Sequence, residues 1–201
     1  MLIKSIFDFF TSLLIIIIFL PLMIVISFLI VIDSGFPIIH KRIVHSSQKK
    51  RFKFLKFRTM DVDADTILEQ MLNDEKYKKE YSRYSKFKND PRITKFGNFL
   101  RKTSMDELPQ LFNVLFFQMS LVGPRPKTSY ELEKYYSKKE IEIIYSVKAG
   151  ITGIQQISGR ANLPYSERVK MEIDYIKERN FWYDFLILLK TPFALFKGGV
   201  Y

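Results

Sequence analysis

Residues 13–32 read LLIIIIFLPLMIVISFLIVI, twenty positions without a charge and broken only by Pro21 and Ser27. That is the length an α-helix needs to cross the hydrocarbon core of a bilayer. The preceding residues carry one Lys (Lys4) and an opposing Asp8, and no small-x-small site follows, so residues 1–32 read as a retained anchor rather than a cleaved leader. Pro21 has no N–H to give and its ring clashes with the preceding turn, which predicts a kink. Two geometries stay open at this point: a tilted span that tolerates its proline, or a kinked, re-entrant helix that enters and leaves through one face.

Working outward, no acid occurs between Asp33 and Asp61, whereas Lys41, Arg42, Lys49, Lys50, Arg51, Lys53, Lys56 and Arg58 all do. The positive-inside rule therefore puts residues 33–201 in the cytoplasm as a single domain. Phe36–Val44 and Phe52–Met60 read as short strands, the second with an apolar and a cationic face. Val62–Lys88 reads as one solvated helix, ended by Asn89-Asp90-Pro91, and Ile93–Leu100 leads into the next. Pro109–Met119 reads as a core helix, and Ser137–Lys148 as a further helix stopped by Ala149-Gly150. Residues 151–160 read as a loop or short strand, and Tyr165–Arg179 as a helix. Phe181–Phe196, aromatic and edged by Lys190 and Lys197, suits a helix lying in the headgroup region or a C-terminal core helix. The fold class is α/β, mostly helical with a small β hairpin or sheet.

Composition narrows the chemistry. The 201 residues hold 32 Lys and Arg against 21 acids, a formal charge of +11 that suits an anionic partner. There is no Cys, and His40 and His45 are the two histidines, so thiol nucleophiles, zinc-thiolate sites and serine-type triads are excluded or poorly supported. Carboxylates and cations are left. Asp106-Glu107, in the run RKTSMDELPQ (101–110), stand between Arg101-Lys102 and Gly123-Pro124-Arg125-Pro126-Lys127. Carboxylates among cations suit phosphate chemistry with a divalent metal. A helix N-terminus at this point would help keep a carboxylate ionised; an ionised Asp can attack phosphorus, and a neighbouring Glu can hold a metal. The same residues also match plain helix capping, Ser104-x-x-Glu107 being a capping-box pattern and Pro109 suiting a first turn.

Taken together these residues resemble the bacterial sugar transferases, also called monotopic phosphoglycosyl transferases. The likeness runs from the proline-broken anchor through Lys56-Phe57-Arg58-Thr59-Met60 and Arg101-x-x-Ser104-x-Asp106-Glu107-Leu108-Pro109-Gln110-Leu111-Phe112-Asn113-Val114. It continues through Met119 to Pro126, Gly150-Ile151-Thr152-Gly153, Gln156, Gly159-Arg160 and Asp184 to Thr191. The resemblance implies transfer of a phospho-sugar from a UDP-sugar to polyprenyl (undecaprenyl) phosphate, with release of UMP, at the cytoplasmic face of the bacterial inner membrane. It implies a covalent aspartyl intermediate on Asp106, Mg²⁺ held by Glu107 and shared with Asp106, and phosphate or nucleotide binding by Arg101, Arg125, Arg160, Lys56 and Arg58. It also favours the re-entrant geometry for Pro21, with interfacial helices holding the site at headgroup depth, and a role in starting capsule, exopolysaccharide, O-antigen or glycoprotein glycan assembly. The chain departs from the family pattern at Leu20, where Ser is common, and at Phe116-Phe117-Gln118, where a Lys-Gly-acid turn is usual.

Two other classes compete. A membrane-tethered binding protein for nucleic acid or anionic lipid would use the cations from Lys41 to Arg58, but gives Asp106 no task; a nucleic-acid partner is not expected. A polyprenyl-diphosphate phosphohydrolase would share the aspartyl chemistry but would not need two substrates. The sugar and the oligomeric state, a homodimer included, are not legible in the residues.

Overall fold

A computed structural model describes residues 2–47, 50–84, 87, 89–158 and 163–196. The apolar run forms the centre of one long helix, α1 (Leu2–Ser34), which continues through Pro21. At 1.5 Å per residue it would be about 50 Å long if straight. Its inward stripe is Asp8, Ser12, Ile16, Met23, Ile26 and Ile30, at the three-, four- and seven-residue spacings that keep one face against a neighbour. Only 22% of its most apolar window is buried in the protein. Ile6, Phe10, Leu14, Ile17, Ile24 and Phe28 all face outward. A soluble core helix would have the opposite distribution, so an apolar solvent is the natural neighbour of this face.

Both ends of α1 are tied to the rest of the chain. Near its start, Lys4 pairs with Asp184 (2.5 Å), and Ser120 Oγ donates to Asp8 Oδ2 (2.7 Å). At its end Gly35 turns the chain at φ 77, and Arg58 Nη2 donates to Ser34 O (2.5 Å) and Gly35 O (2.6 Å). An arginine on the last carbonyls satisfies orphan acceptors and complements the negative end of the helix dipole.

The two expected strands form an antiparallel hairpin, β1 (Ile39–His45) and β2 (Arg51–Phe57). The expected helix over Val62–Lys88 is instead two, α2 (Ala64–Leu72) and α3 (Glu75–Tyr84). The break falls at Asn73-Asp74, where Asp74 Oδ1 accepts from Lys76 N (2.8 Å) and so starts the second helix with its own side chain. Next come α4 (Lys95–Thr103), a single 3₁₀ turn (Met105–Glu107) and α5 (Gln110–Leu115). β3 (Ser120–Val122) pairs in parallel with β4 (Gly150–Thr152), with α6 (Ser129–Tyr135) and α7 (Lys138–Tyr145) crossing between them. α8 (Ile154–Ile157), α9 (Tyr165–Glu178) and α10 (Phe181–Phe196) complete the described chain. Fold class is as expected, mostly helical with two small sheets.

The main core gathers Val44, Phe52, Val114, Leu121, Ile144, Ile173 and Ile187, with Ile16 of α1. A second cluster is built on Met23, Ile26 and Ile30 of α1 with Phe57 and Leu100. α10 buries Asp184 and Ile187 and turns Trp182, Phe185, Leu186, Leu189 and Phe193 outward. A polar residue inside and aromatics outside is the reverse of what a C-terminal core helix shows.

Candidate active site

The two carboxylates do not open a helix. α4 ends at Thr103 with Ser104 in the left-handed region (φ 56), and the chain then makes the 3₁₀ turn that carries Asp106 and Glu107. With Ser104 in that conformation its side chain caps nothing, so the capping box suggested by Ser104-x-x-Glu107 is not formed. The pair is thereby released from a purely structural explanation. α5 starts only at Gln110 and is six residues long.

What faces the carboxylates is Lys56, on the same side of β2 as Phe52 and Phe54. Its Nζ donates to Asp106 Oδ2 (3.1 Å) and to Glu107 Oε1 (2.7 Å), and it also lies over the Phe54 ring. Asp106 is only 6% exposed. Burial pushes its carboxyl above the ordinary Asp value, while Lys56 and Arg101 act in the other direction. The helix-dipole effect expected from the sequence is therefore not the main influence; desolvation against two cations is.

Three devices hold this geometry. Asn113 of α5 clamps β2 by accepting from Leu55 N (3.1 Å) and donating to Lys53 O (2.9 Å), which pins the strand just ahead of Lys56. Thr59 Oγ1 accepts from Arg101 Nε (2.8 Å), fixing that guanidinium beside the site. Gly97 of α4 lies so close to the Thr59 backbone that a Cβ there would overlap its carbonyl. Sequence reading picks out Lys56, Arg101, Asp106 and Glu107, and the structure brings all four together. It misses Asn113 and Thr59, whose roles depend on long-range contacts.

The other predicted residues lie elsewhere. Arg58 is committed to the end of α1, with its Nε and Nη1 buried and without a partner among the described residues. Arg125 is exposed on a tightly held loop. That loop is fastened by His45 N to Lys127 O (2.9 Å), Gly150 N to Pro124 O (2.9 Å) and Gly123 N to Thr152 O (3.0 Å). His45 is at the opposite end of β1 from His40, the residue across from Lys56, a span of roughly 17 Å at strand rise. Below the loop Glu172 of α9, fully buried, accepts from Arg125 N (3.1 Å), Lys127 Nζ (2.8 Å) and Tyr136 Oη (2.7 Å). Arg160 lies outside the described residues.

For a metal, no cluster of three His, Asp, Glu or Cys side chains occurs among the described residues. Two adjacent carboxylates already drawn together around one ammonium do fit Mg²⁺, which takes one or two carboxylates and fills its remaining positions with water and substrate phosphate.

Fold and site thus define a helix-rich protein with one long, outwardly apolar helix and a carboxylate pair, one buried and one half-buried, bridged by lysine. A sequence profile of the family described as bacterial sugar transferase matches residues 1–198, and the chain belongs to that family. It is 43% identical, over 98% of its length, to the UDP-galactose-lipid carrier transferase of Erwinia amylovora and to the undecaprenyl-phosphate galactose phosphotransferase of Salmonella typhimurium. The matched segment is 41% of each of those longer proteins, so the chain spans about two fifths of their length. It is 38% identical to the exopolysaccharide production protein ExoY of Rhizobium meliloti, matching 98% of this chain and 88% of that one.

Proposed function

We propose that this chain transfers a phospho-sugar from a UDP-sugar to undecaprenyl phosphate, through a covalent intermediate on Asp106. The observation that carries the reading is the lysine-bridged pair, a buried carboxylate with cations positioned for the phosphate it would attack. The names of its relatives supply the substrate class.

In the first half-reaction an Asp106 oxygen attacks the sugar-linked phosphorus, the bond to the UMP oxygen breaks, and UMP leaves with the electron pair. In the second, an oxygen of polyprenyl phosphate attacks the same phosphorus, frees the Asp106 carboxylate and yields the polyprenyl-diphosphate sugar. Lys56 and Arg101 neutralise the approach of a diphosphate to a carboxylate. Mg²⁺ bound by Glu107 and Asp106 would supply further neutralisation of the diphosphate. Arg125 and Arg160 are assigned to donor binding, and a contact of Arg58 with phosphate would use its unpaired Nε and Nη1 edge.

Residues 1–32 are proposed as the membrane anchor and 33–201 as the catalytic domain, at the cytoplasmic face of the bacterial inner membrane. Re-entry is supported by the ties at both ends of α1 to the same domain, since a straight span would carry its ends to opposite faces, and it requires a bend at Pro21, through which the helix runs without a break here. A role in starting exopolysaccharide or capsule assembly is part of this reading, supported for exopolysaccharide by the likeness to the exopolysaccharide production protein ExoY.

The test is intact-mass analysis of the membrane-inserted protein with Mg²⁺ and a panel of UDP-sugars. A stoichiometric sugar-phosphate adduct and one UMP should form with donor alone, and the adduct should clear on adding undecaprenyl phosphate. UMP release that strictly requires both substrates together, with no adduct, would discard the covalent route.

The pH profile follows from the electrostatics. Asp106 must be ionised to attack, and burial raises its pKa, so activity falls on the acid side with a midpoint above the ordinary 3.8. Lys56 lowers that pKa, so Lys56→Met should move the acid limb to higher pH. At neutral pH it should also reduce kcat/KM by about 10–100-fold, the value of a charged hydrogen bond. An acid limb that stays in place in Lys56→Met would show that the lysine does not set the state of Asp106.

A further inference from the structure

The turn that ends α5 is built against ordinary turn chemistry. Phe116 N donates to Phe112 O and Phe117 N to Val114 O, and Gln118 N and Met119 N both return to Asn113 O. This reversal requires a residue at positive φ, and Phe117 supplies it at φ 57. A bulky aromatic is an unfavourable choice there, where glycine would be free of strain. Both aromatics point outward, Phe116 being 66% and Phe117 54% exposed. The Phe117 ring lies parallel to that of Phe9 in α1, with centroids 5.7 Å apart, and Lys148 Nζ sits 5.3 Å from its centre. Phe117 also closes, with Ser5, Ile6, Phe9 and Phe10, an open, wholly apolar cavity of about 280 Å³. The apolar surface continues from here. Ile6 and Phe10 belong to the outward face of α1, and Phe7 meets Phe181 edge-on (5.7 Å), leading to the exposed aromatics of α10.

We propose that the Phe116-Phe117 turn is a wedge that enters the lipid bilayer beside α1, with the cavity it shares with Phe9 and Phe10 seating a lipid hydrocarbon chain. Lys148 then lies at headgroup level, the arrangement of cation and aromatics that membrane interfaces favour. Because α5 joins this wedge directly to the turn carrying Asp106, the depth of one fixes the height of the other. The proposal rests on the membrane reading of α1 and α10 and is independent of the phosphoryl chemistry.

Trp182 is the single tryptophan, so it reports α10 in the unaltered full chain. Phe116→Trp and Phe117→Trp, each in a Trp182→Phe background, report the wedge; both positions are exposed and accept the larger ring. All three proteins are placed in phosphatidylcholine–phosphatidylglycerol vesicles with or without chain-brominated lipid. The expected result is emission shifted to the blue and quenched about twofold or more by the brominated chains at positions 116 and 117, the depth an interfacial apolar face reaches. Unquenched, water-like emission at both positions while Trp182 is quenched would overturn the wedge and spare the membrane reading. No quenching at any of the three would overturn both. Emission at 116 and 117 that responds to protein dilution but not to brominated lipid would overturn the proposal in favour of a second copy covering the turn.

Discussion

Asp106→Asn is expected to reduce turnover by at least roughly 10⁴-fold, the order found when a covalent nucleophile is removed, without lowering the temperature of unfolding. The loss follows because the amide cannot form the acyl phosphate, while its size and its place in the 3₁₀ turn are unchanged. The retained stability follows from linkage. Asp106 has its folded-state pKa raised, chiefly by burial. The folded protein therefore binds this proton more tightly than the unfolded chain does, and stability falls as pH rises through the interval between the two pKa values. Above that interval the wild-type chain carries a buried charge that Asn does not have. Lys56 keeps Glu107 as a partner at 2.7 Å, so the substitution does not strand it. A catalytic group that weakens its own fold is the pattern of a site shaped for reaction. Unfolding in detergent at neutral pH, followed beside UMP release, gives both readouts. A variant that melts well below the parent would mark Asp106 as a structural residue and make its loss of activity uninformative.

The parts of the molecule that could be read from the chain are those whose signal is local. α1 is set by twenty uncharged residues, the hairpin by Phe52-Lys53-Phe54 alternation, and α10 by its aromatic, cation-flanked run, while α9 and α10 both fall within a residue or so of the expected ends. The unread parts depend on competition or distance. Asn73-Asp74 divides an apparently continuous helix because a side-chain oxygen takes over one backbone donor. α6 carries a true capping box at Thr128 and Glu131, a Thr-x-x-Glu signal visible in the residues. Ser104-x-x-Glu107 has the same spacing and forms none. The motif alone does not distinguish them; the left-handed Ser104 does. The parallel pairing of residues 120–122 with 150–152 brings together segments about thirty positions apart, too short to register as strands.

The site divides along the same line. Residue type and neighbourhood single out Asp106 and Glu107, the family resemblance adds Lys56 and Arg101, and these four meet. Arg58 has the same credentials but ends on the carbonyls of α1, because a contact with a helix terminus 23 to 24 positions earlier is invisible in the chain. Glu172 sits in a helix rich in charge, where solvent exposure is the default expectation, yet no other charged side chain is more fully buried among the described residues.

That buried glutamate leads to the largest expected effect on stability. Lys127 is 3% exposed and Glu172 0%, and their Nζ–Oε1 contact is 2.8 Å. Glu172→Gln keeps an oxygen that can accept from the Arg125 amide and from Lys127, but it removes the negative charge that directly faces this buried cation, leaving Glu131 as its nearby carboxylate. Stranding one member of such a pair costs about 3–5 kcal/mol, or roughly 6–20 °C in unfolding temperature for a chain of this size. Replacing both charges is a different matter, since buried ion pairs are frequently exchanged for neutral groups at little cost. Lys127→Met with Glu172→Gln should therefore recover most of the loss, which separates an uncompensated charge from a general packing defect. The distinction bears on function because the same carboxylate fixes the backbone amide of Arg125, the exposed cation assigned to the donor. In the double variant, with the fold restored and the Arg125 amide still held by Gln, the KM for UDP-sugar should return toward that of the parent. A single variant as heat-stable as the parent, or a double variant no better than the single, would mean that the pair is not the buried, mutually dependent contact described here.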